Sequence, residues 1–312
     1  MKITKPAAAR LREALHPGDP VSLREAAELL ETSAERASAA LSYLAGHGDL
    51  VKVRKTLWVR RGAPANPYRL GARITSPYSF SYGTALALHG AAPTERSEIL
   101  VAGPRRFDSF DFEGVRYRHV RPWAAEGREK VSVGPEFVWT TNSEKTLVDC
   151  VRVPVNAGGF AELLRAAPAL QRLDPRELLR WVDHYGEANL AARLGFLLES
   201  VDRGDQSPAI VTELESRRPP TRIYLDRRSK GGHLVTRWNL IVPQHLLGLE
   251  KNLNHEIPRR ALLRAHRKHD RFPSRTARKS LPQGGASLEC EAQLEKPGVE
   301  EKLQRVVLRD VE

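Results

Sequence analysis

Sulfur is scarce in this chain. Its two cysteines, Cys150 and Cys290, stand far apart in 312 residues, with no CxxC and no pairing pattern. That excludes a disulfide framework and a thiolate zinc site, and it fits a reducing interior. Long apolar runs are missing too: no stretch approaches the ~20 residues that a membrane-spanning helix needs. The segment after Met1 is too polar for a secretory signal, so the chain reads as cytoplasmic, with no membrane partner. The signatures of common chemistries are also missing. No P-loop, GxSxG, HExxH or DxD occurs, and no cofactor or metal is expected. There is no internal repeat.

Positive charge is what the chain has in excess. Lys plus Arg number 50 against 38 Asp plus Glu, a formal charge of +12. Such an excess favours polyanionic partners without identifying one. Its distribution says more. Residues 1–70 hold 12 basic and 7 acidic residues, residues 251–280 hold 10 and 2, and the long middle is nearly balanced.

Residues 21–61, VSLREAAELLETSAERASAALSYLAGHGDLVKVRKTLWVRR, read as two short helices followed by a hairpin. Ser22 and Glu25 are spaced as a capping box, and Leu23, Ala26, Ala27 and Leu30 fall on one helical face. Thr32 or Ser33 restarts the chain, and Ala37, Ala40, Leu41 and Leu44 give a second apolar stripe. Opposite that stripe lie Glu35, Arg36, Ser38, Ala39, Ser42 and Tyr43. Small residues there permit close approach to a major groove, while Arg, Ser and Tyr reach phosphates and base edges. Gly46 and Gly48 end the helix. Lys52, Arg54, Lys55, Arg60 and Arg61 cluster on the hairpin, where a phosphate backbone would run. The competing reading is a helical hairpin packed on its own protein, with solvated charges.

A helix over 6–15, ended by HPGDP, supplies the first helix of a winged helix-turn-helix domain. Pro64, Asn66 and Pro67 form a polar joint, so this domain spans residues 1–68. The fold class is α+β, with a mixed α/β domain over 70–249 and a basic, disordered tail over 250–312. Within the second domain a helix is expected over 79–89 and strands over 98–102, 110–112, 115–120 and 137–140. Glu113-Gly114 is a hairpin turn. Helices follow from the Asn142 or Ser143 cap, over 160–167, from the Asp174-Pro175 cap, and over 187–200. Short strands are expected at 224–225 and 238–242, around a turn at 230–232, and a short helix at 300–308.

Three segments carry a resemblance. SYGTALALHG at 81–90, TNSEKTLVD at 141–149 and ARLGFLLE at 192–199, in that order after a winged helix, resemble the AbiEi family, the antitoxin half of type IV toxin–antitoxin modules. The resemblance covers roughly residues 5–245. It implies a DNA-binding protein that represses its own operon at promoter inverted repeats and opposes a nucleotidyltransferase toxin; monomers binding cooperatively on DNA are one arrangement open to it. Nothing in it extends to the tail.

The residues of these motifs also read structurally. His89 precedes a helix-ending Gly, where it can bond the last carbonyls or sit satisfied in the core. Lys145 and Asp149 are spaced for an i,i+4 ion pair. Thr84, Glu144, Arg193 and Glu199 read as structural partners, with Arg193 reaching Glu199 or Asp149. Asp202, Asp205 and Asp226 show no ligand pattern. The expectation is an autorepressor and antitoxin without enzymatic activity. Its rivals are a regulator with no toxin partner and a DNA-directed nuclease, for which Glu144, Lys145 and Asp149 are a poor match.

Overall fold

The computed structural model describes residues 5–247 except 93, 95–96, 122, 171–172, 202–207 and 227–230. The expected tail, with its helix at 300–308, lies outside these residues, as do Asp202, Asp205 and Lys230.

The N-terminal part runs α1 (Ala7–Ala14), β1 (Pro20–Ser22), α2 (Leu23–Leu30), α3 (Ala34–Gly46), β2 (Leu50–Arg54) and β3 (Leu57–Arg60). Ser22 closes the capping box: its hydroxyl accepts from the Glu25 amide, and its own amide donates to Glu25 Oε2 at 2.8 Å. Ser33 caps α3, and Gly48, at φ 77°, lets the chain leave it. Leu11, Ala26, Leu30, Ala37, Leu41, Leu44 and Trp58 form one core between the three helices and the sheet. The strands order β1-β3-β2, all antiparallel. Strand β1 corrects the reading of Pro20 as only a breaker. Pro20 begins an edge strand, where a missing N–H costs no ladder bond. Helix, strand, two helices and a hairpin make a winged helix-turn-helix.

The joint expected at 64–67 is instead the start of a helix, α4 (Pro67–Gly71). Asn66 caps it by accepting from the Tyr68 and Arg69 amides, with Pro67 at its first position. Arg69 and Arg73 project from this turn into a cluster of carboxylates. Arg73 pairs with Glu25 at 2.9 Å and with Glu136 at 3.0 Å. Arg69 pairs with Asp19 at 2.7 Å and with Glu136 at 2.5 Å. The capping-box carboxylate of α2 is therefore also an ion-pair partner of the following segment. Apolar contacts agree. Alternation along β3 sends Trp58 into the first core and Leu57 and Val59 into a second, with Leu70, Phe80, Ile99, Val101, Tyr117 and Val138.

That second core lines one face of a six-stranded sheet. Its strands are β4 (Ser79–Phe80), β5 (Glu98–Ala102), β6 (Phe110–Phe112), β7 (Val115–Val120), β8 (Arg128–Val133) and β9 (Glu136–Thr141), ordered β6-β7-β5-β4-β9-β8. β4–β9 and β5–β7 are parallel and the other pairs antiparallel. Glu113 and Gly114, both at positive φ, make the expected two-residue turn. Two corrections arise here. Ser79 and Phe80 are a central strand, and the helix begins only at α5 (Gly83–Leu88). Charged β8 escaped notice because edge strands carry charge against unwanted pairing.

The other face packs on helices: α6 (Ser143–Arg152), α7 (Phe160–Ala166), α8 (Pro175–Tyr185), α9 (Ala188–Ser200) and α10 (Pro208–Ser216). α9 is apolar nearly all round and buried from Leu190 to Leu198. Gly195 lies under Trp238, where an added Cβ would fall 2.1 Å from the indole. A small sheet, β10 (Ile223–Tyr224), β11 (His233–Val235) and β12 (Leu240–Val242), precedes α11 (Gln244–Leu247). Among the described residues no helix is long and apolar enough to cross a membrane.

The ion cluster generates a prediction. Burial by itself would raise the Glu136 carboxyl, but Arg73 and Arg69 outweigh it and hold it below its ordinary 4.5. Stability from this carboxylate is thus present above pH 4.5 and lost as pH falls through the lowered folded value. Arg73→Met should cost about 3–5 kcal/mol at pH 7, because Glu25 loses its Arg73 partner while largely buried and Glu136 is left with Arg69. Urea unfolding across a pH series checks both points, and Glu136→Gln should flatten the acid limb.

Candidate nucleic-acid interface

The first half of the candidate interface is the outer face of α3. The stripe Ala37, Ala40, Leu41 and Leu44 is buried, which turns Arg36, Ser42 and Tyr43 to solvent and leaves Ser38 half-buried. Ser33 stays exposed while its hydroxyl accepts from the Arg36 amide at 3.5 Å. Tyr43 is 53 % exposed and stacks on His47, with ring centroids 3.9 Å apart. His47 Nδ1 lies 2.8 Å from the Tyr43 carbonyl, which anchors the aromatic pair at the helix end. The face is small and polar, with Arg36 beside the exposed Glu35, and its small side chains leave room for close approach to a groove.

The second half is the hairpin, and the structure divides its five basic residues. Lys55 and Arg61 are exposed and have no carboxylate partner among the described residues. Lys52 is exposed too, with its ammonium 5.8 Å from the Trp58 centroid. Arg54 and Arg60 are corrections to the expected phosphate set. Past the bulge between Lys52 and Arg54, the Arg54 guanidinium lies over Phe110 at 5.1 Å and Phe107 at 5.5 Å. It faces the six-stranded sheet, where the two rings offset part of the hydration that the cation loses. Arg60 donates to both the carbonyl and the carboxylate of Asp49 at 2.8 Å. The Asp49 carboxyl is held below its usual range by its bond from Arg12, with Arg60 adding to the effect. Arg60 closes the base of the wing.

The motif residues of the second part are occupied internally. The Thr84 hydroxyl accepts from the Leu100 amide at 2.8 Å, tying α5 to β5. His89 bonds across the sheet rather than to its own helix: Nε2 donates to the Thr141 carbonyl at 2.7 Å. Glu144 accepts from the Asp174 amide at 2.8 Å and so points away from Lys145 and Asp149. The three residues proposed by the nuclease reading therefore do not converge.

Lys145 and Asp149 make the expected ion pair at 2.7 Å, each side chain 2 % exposed. Tyr185 completes the pair, donating to Asp149 at 2.5 Å and accepting from Lys145 at 3.1 Å. The ammonium also sits 4.6 Å from the Trp181 centroid. Burial pushes the Asp149 carboxyl up, against the bonds from Lys145 and Tyr185. Arg193 donates to the Tyr224 carbonyl at 3.2 Å, whereas Glu199 accepts from Arg237 and from the Trp238 indole. Asp149 thus goes to Lys145 and Tyr185, and Glu199 to Arg237 and Trp238.

Arg69, Arg73 and Glu136 were not visible as functional neighbours in the sequence. Asn66-Pro67, a cap followed by a first-turn proline, was the signal that could have revealed their helix.

No family model matches the chain, and no curated protein does. A solved structure does: the RV2827C protein from Mycobacterium tuberculosis superposes with a TM-score of 0.56 at 17 % identity, over 80 % of this chain and 95 % of that one. At that identity the likeness concerns the α+β fold alone.

If the Lys145–Asp149–Tyr185 cluster is structural, a compensated variant should largely recover what a single one loses. Asp149→Ala should cost about 3–5 kcal/mol by stranding the ammonium. The double Lys145→Met, Asp149→Leu variant should regain most of that in chemical denaturation. A double variant as unstable as the single one would show that charge pairing is not what the cluster supplies.

Proposed function

We propose that this protein is a double-stranded DNA-binding transcriptional autorepressor that also acts as an antitoxin, without catalysis of its own. The observation that carries the DNA-binding half is the outward face of α3, bearing Arg36, Ser42 and Tyr43, beside a wing that presents Lys52, Lys55 and Arg61. Helix and wing are the two contacts that a winged helix makes, one with base edges and one with phosphates. The antitoxin half rests on the AbiEi resemblance of the motifs at 81–90, 141–149 and 192–199. Those residues work inside the body, so the surface that would meet a nucleotidyltransferase toxin lies elsewhere on it.

The test uses the full chain and the DNA upstream of its own gene. Arg36→Ala should lower specific affinity by about 1–3 kcal/mol if Arg36 reads a base. Replacing Lys55 and Arg61 by Ala should reduce the slope of log affinity against log salt by up to roughly 2, with selectivity retained. Unchanged binding in Arg36→Ala would remove α3 from the interface. Co-expression with a neighbouring nucleotidyltransferase then separates the two halves. The Arg36→Ala chain should still rescue growth while no longer repressing, and failure of the wild-type chain to rescue would refute the antitoxin role.

A further inference from the structure

The β8–β9 hairpin presents a face that the proposed function does not use. Side chains alternate along each strand, and the register sets Arg128, Lys130 and Ser132 opposite Thr141, Trp139 and Phe137 on one side. Glu129 falls on the other side, 3.5 Å from His89. This side of the hairpin carries two cations, two aromatic rings and no carboxylate, with Lys130, Ser132 and Phe137 exposed, Arg128 and Trp139 half-buried and Thr141 buried.

The rings and cations interleave. The Arg128 guanidinium lies 4.9 Å from the centroids of both Trp123 and Trp139, and it is fixed there by donating to the Ala125 carbonyl at 2.7 Å. Lys130 reaches over Trp139 at 5.0 Å and has no carboxylate partner among the described residues. Phe137 is 55 % exposed and has neither a ring nor a cation against it among the described residues. Water is a poor neighbour for an aromatic ring, and alternation with the buried Val138 turns Phe137 toward it.

We propose that this face binds single-stranded nucleic acid, with an unpaired base stacking on Phe137 and a phosphate meeting Lys130, beside the Trp139 ring that Arg128 and Lys130 already cover. An acidic polypeptide would satisfy Lys130 but leave the Phe137 ring without a flat partner. Duplex DNA offers phosphates, yet its base faces are already stacked on one another. An unpaired strand supplies a π-face and a negative charge at each nucleotide, which is the pattern of this surface. Arg128 positions the two indoles and contacts no ligand.

The probe is a fluorescently labelled oligothymidylate of about 20 nucleotides, titrated with the full chain in parallel with a duplex of equal length. The basic tail is common to every variant and cancels from the comparison. Phe137→Ala combined with Lys130→Ala should weaken oligothymidylate binding roughly tenfold, the scale of one lost base–ring stack, and shift duplex binding less than twofold. Phe137→Trp should retain single-strand affinity, because it keeps a ring. Equal affinity in the double variant and the wild type would overturn the proposal, as would equal losses for single strand and duplex. Phe137→Trp as weak as Phe137→Ala would exclude stacking. Displacement of the oligonucleotide by polyglutamate with equal potency in Phe137→Ala and wild type would assign the face to an acidic protein.

Discussion

The Arg73 guanidinium is the point on which the arrangement of the described chain turns. It is buried between Glu25, which closes the capping box of α2, and Glu136, the first residue of β9. Three elements far apart in sequence thus share one charge cluster, and Arg69 brings in Asp19 from the start of β1. Buried charges are tolerable only when each finds its counterpart, so the cluster fixes register and orientation wherever it forms. Hydrophobic burial follows the same geometry. Leu57 and Val59 share a core with Leu70 of α4, the helix that carries Arg69, and with Phe80 and Val101. The N-terminal helices and the sheet are consequently parts of one packed unit.

What the sequence made legible was local. The Ser22–Glu25 box, the stripe through Ala37, Leu41 and Leu44, the Glu113-Gly114 turn and the Asn142 and Asp174 caps all depend on residues within one turn of each other. Their signals are contained in short windows. The exceptions need partners from elsewhere. Arg54 and Lys55 are neighbours of the same charge, and only Phe107 and Phe110, more than fifty positions on, turn one of them inward. Arg60 and Arg61 differ in the same way, since Asp49 claims the first. Ser79 and Phe80 adjoin a helical pattern, yet a strand forms because β5 and β9 flank them on both sides. Long-range pairing decided each of these cases.

The three motifs acquire physical meaning in the same way. Gly195 is glycine because the Trp238 ring occupies the space of a side chain. Thr84 and His89 each satisfy a backbone group of a neighbouring strand, and Glu144 satisfies the amide at which α8 begins. Lys145 and Asp149 are an acid and a base in composition, yet Tyr185 and Trp181 enclose them as a closed polar knot in an apolar layer. Groups that look reactive in a sequence can be the means by which helices keep their register.

The double burial of β3 has a geometric corollary for DNA. A DNA-reading domain on a slack tether accommodates half-sites at many separations, because each head finds its groove independently. Here Trp58 faces the N-terminal helices while Leu57 and Val59 face the sheet, so α3 takes its direction from the body behind it. Each base pair inserted between two half-sites rotates one bound copy about the duplex by roughly 35° relative to the other. Two bodies of this kind approach, clash or separate according to that rotation. Under the proposed function, the helical phase of an operator, and not only its letters, becomes something this fold would discriminate.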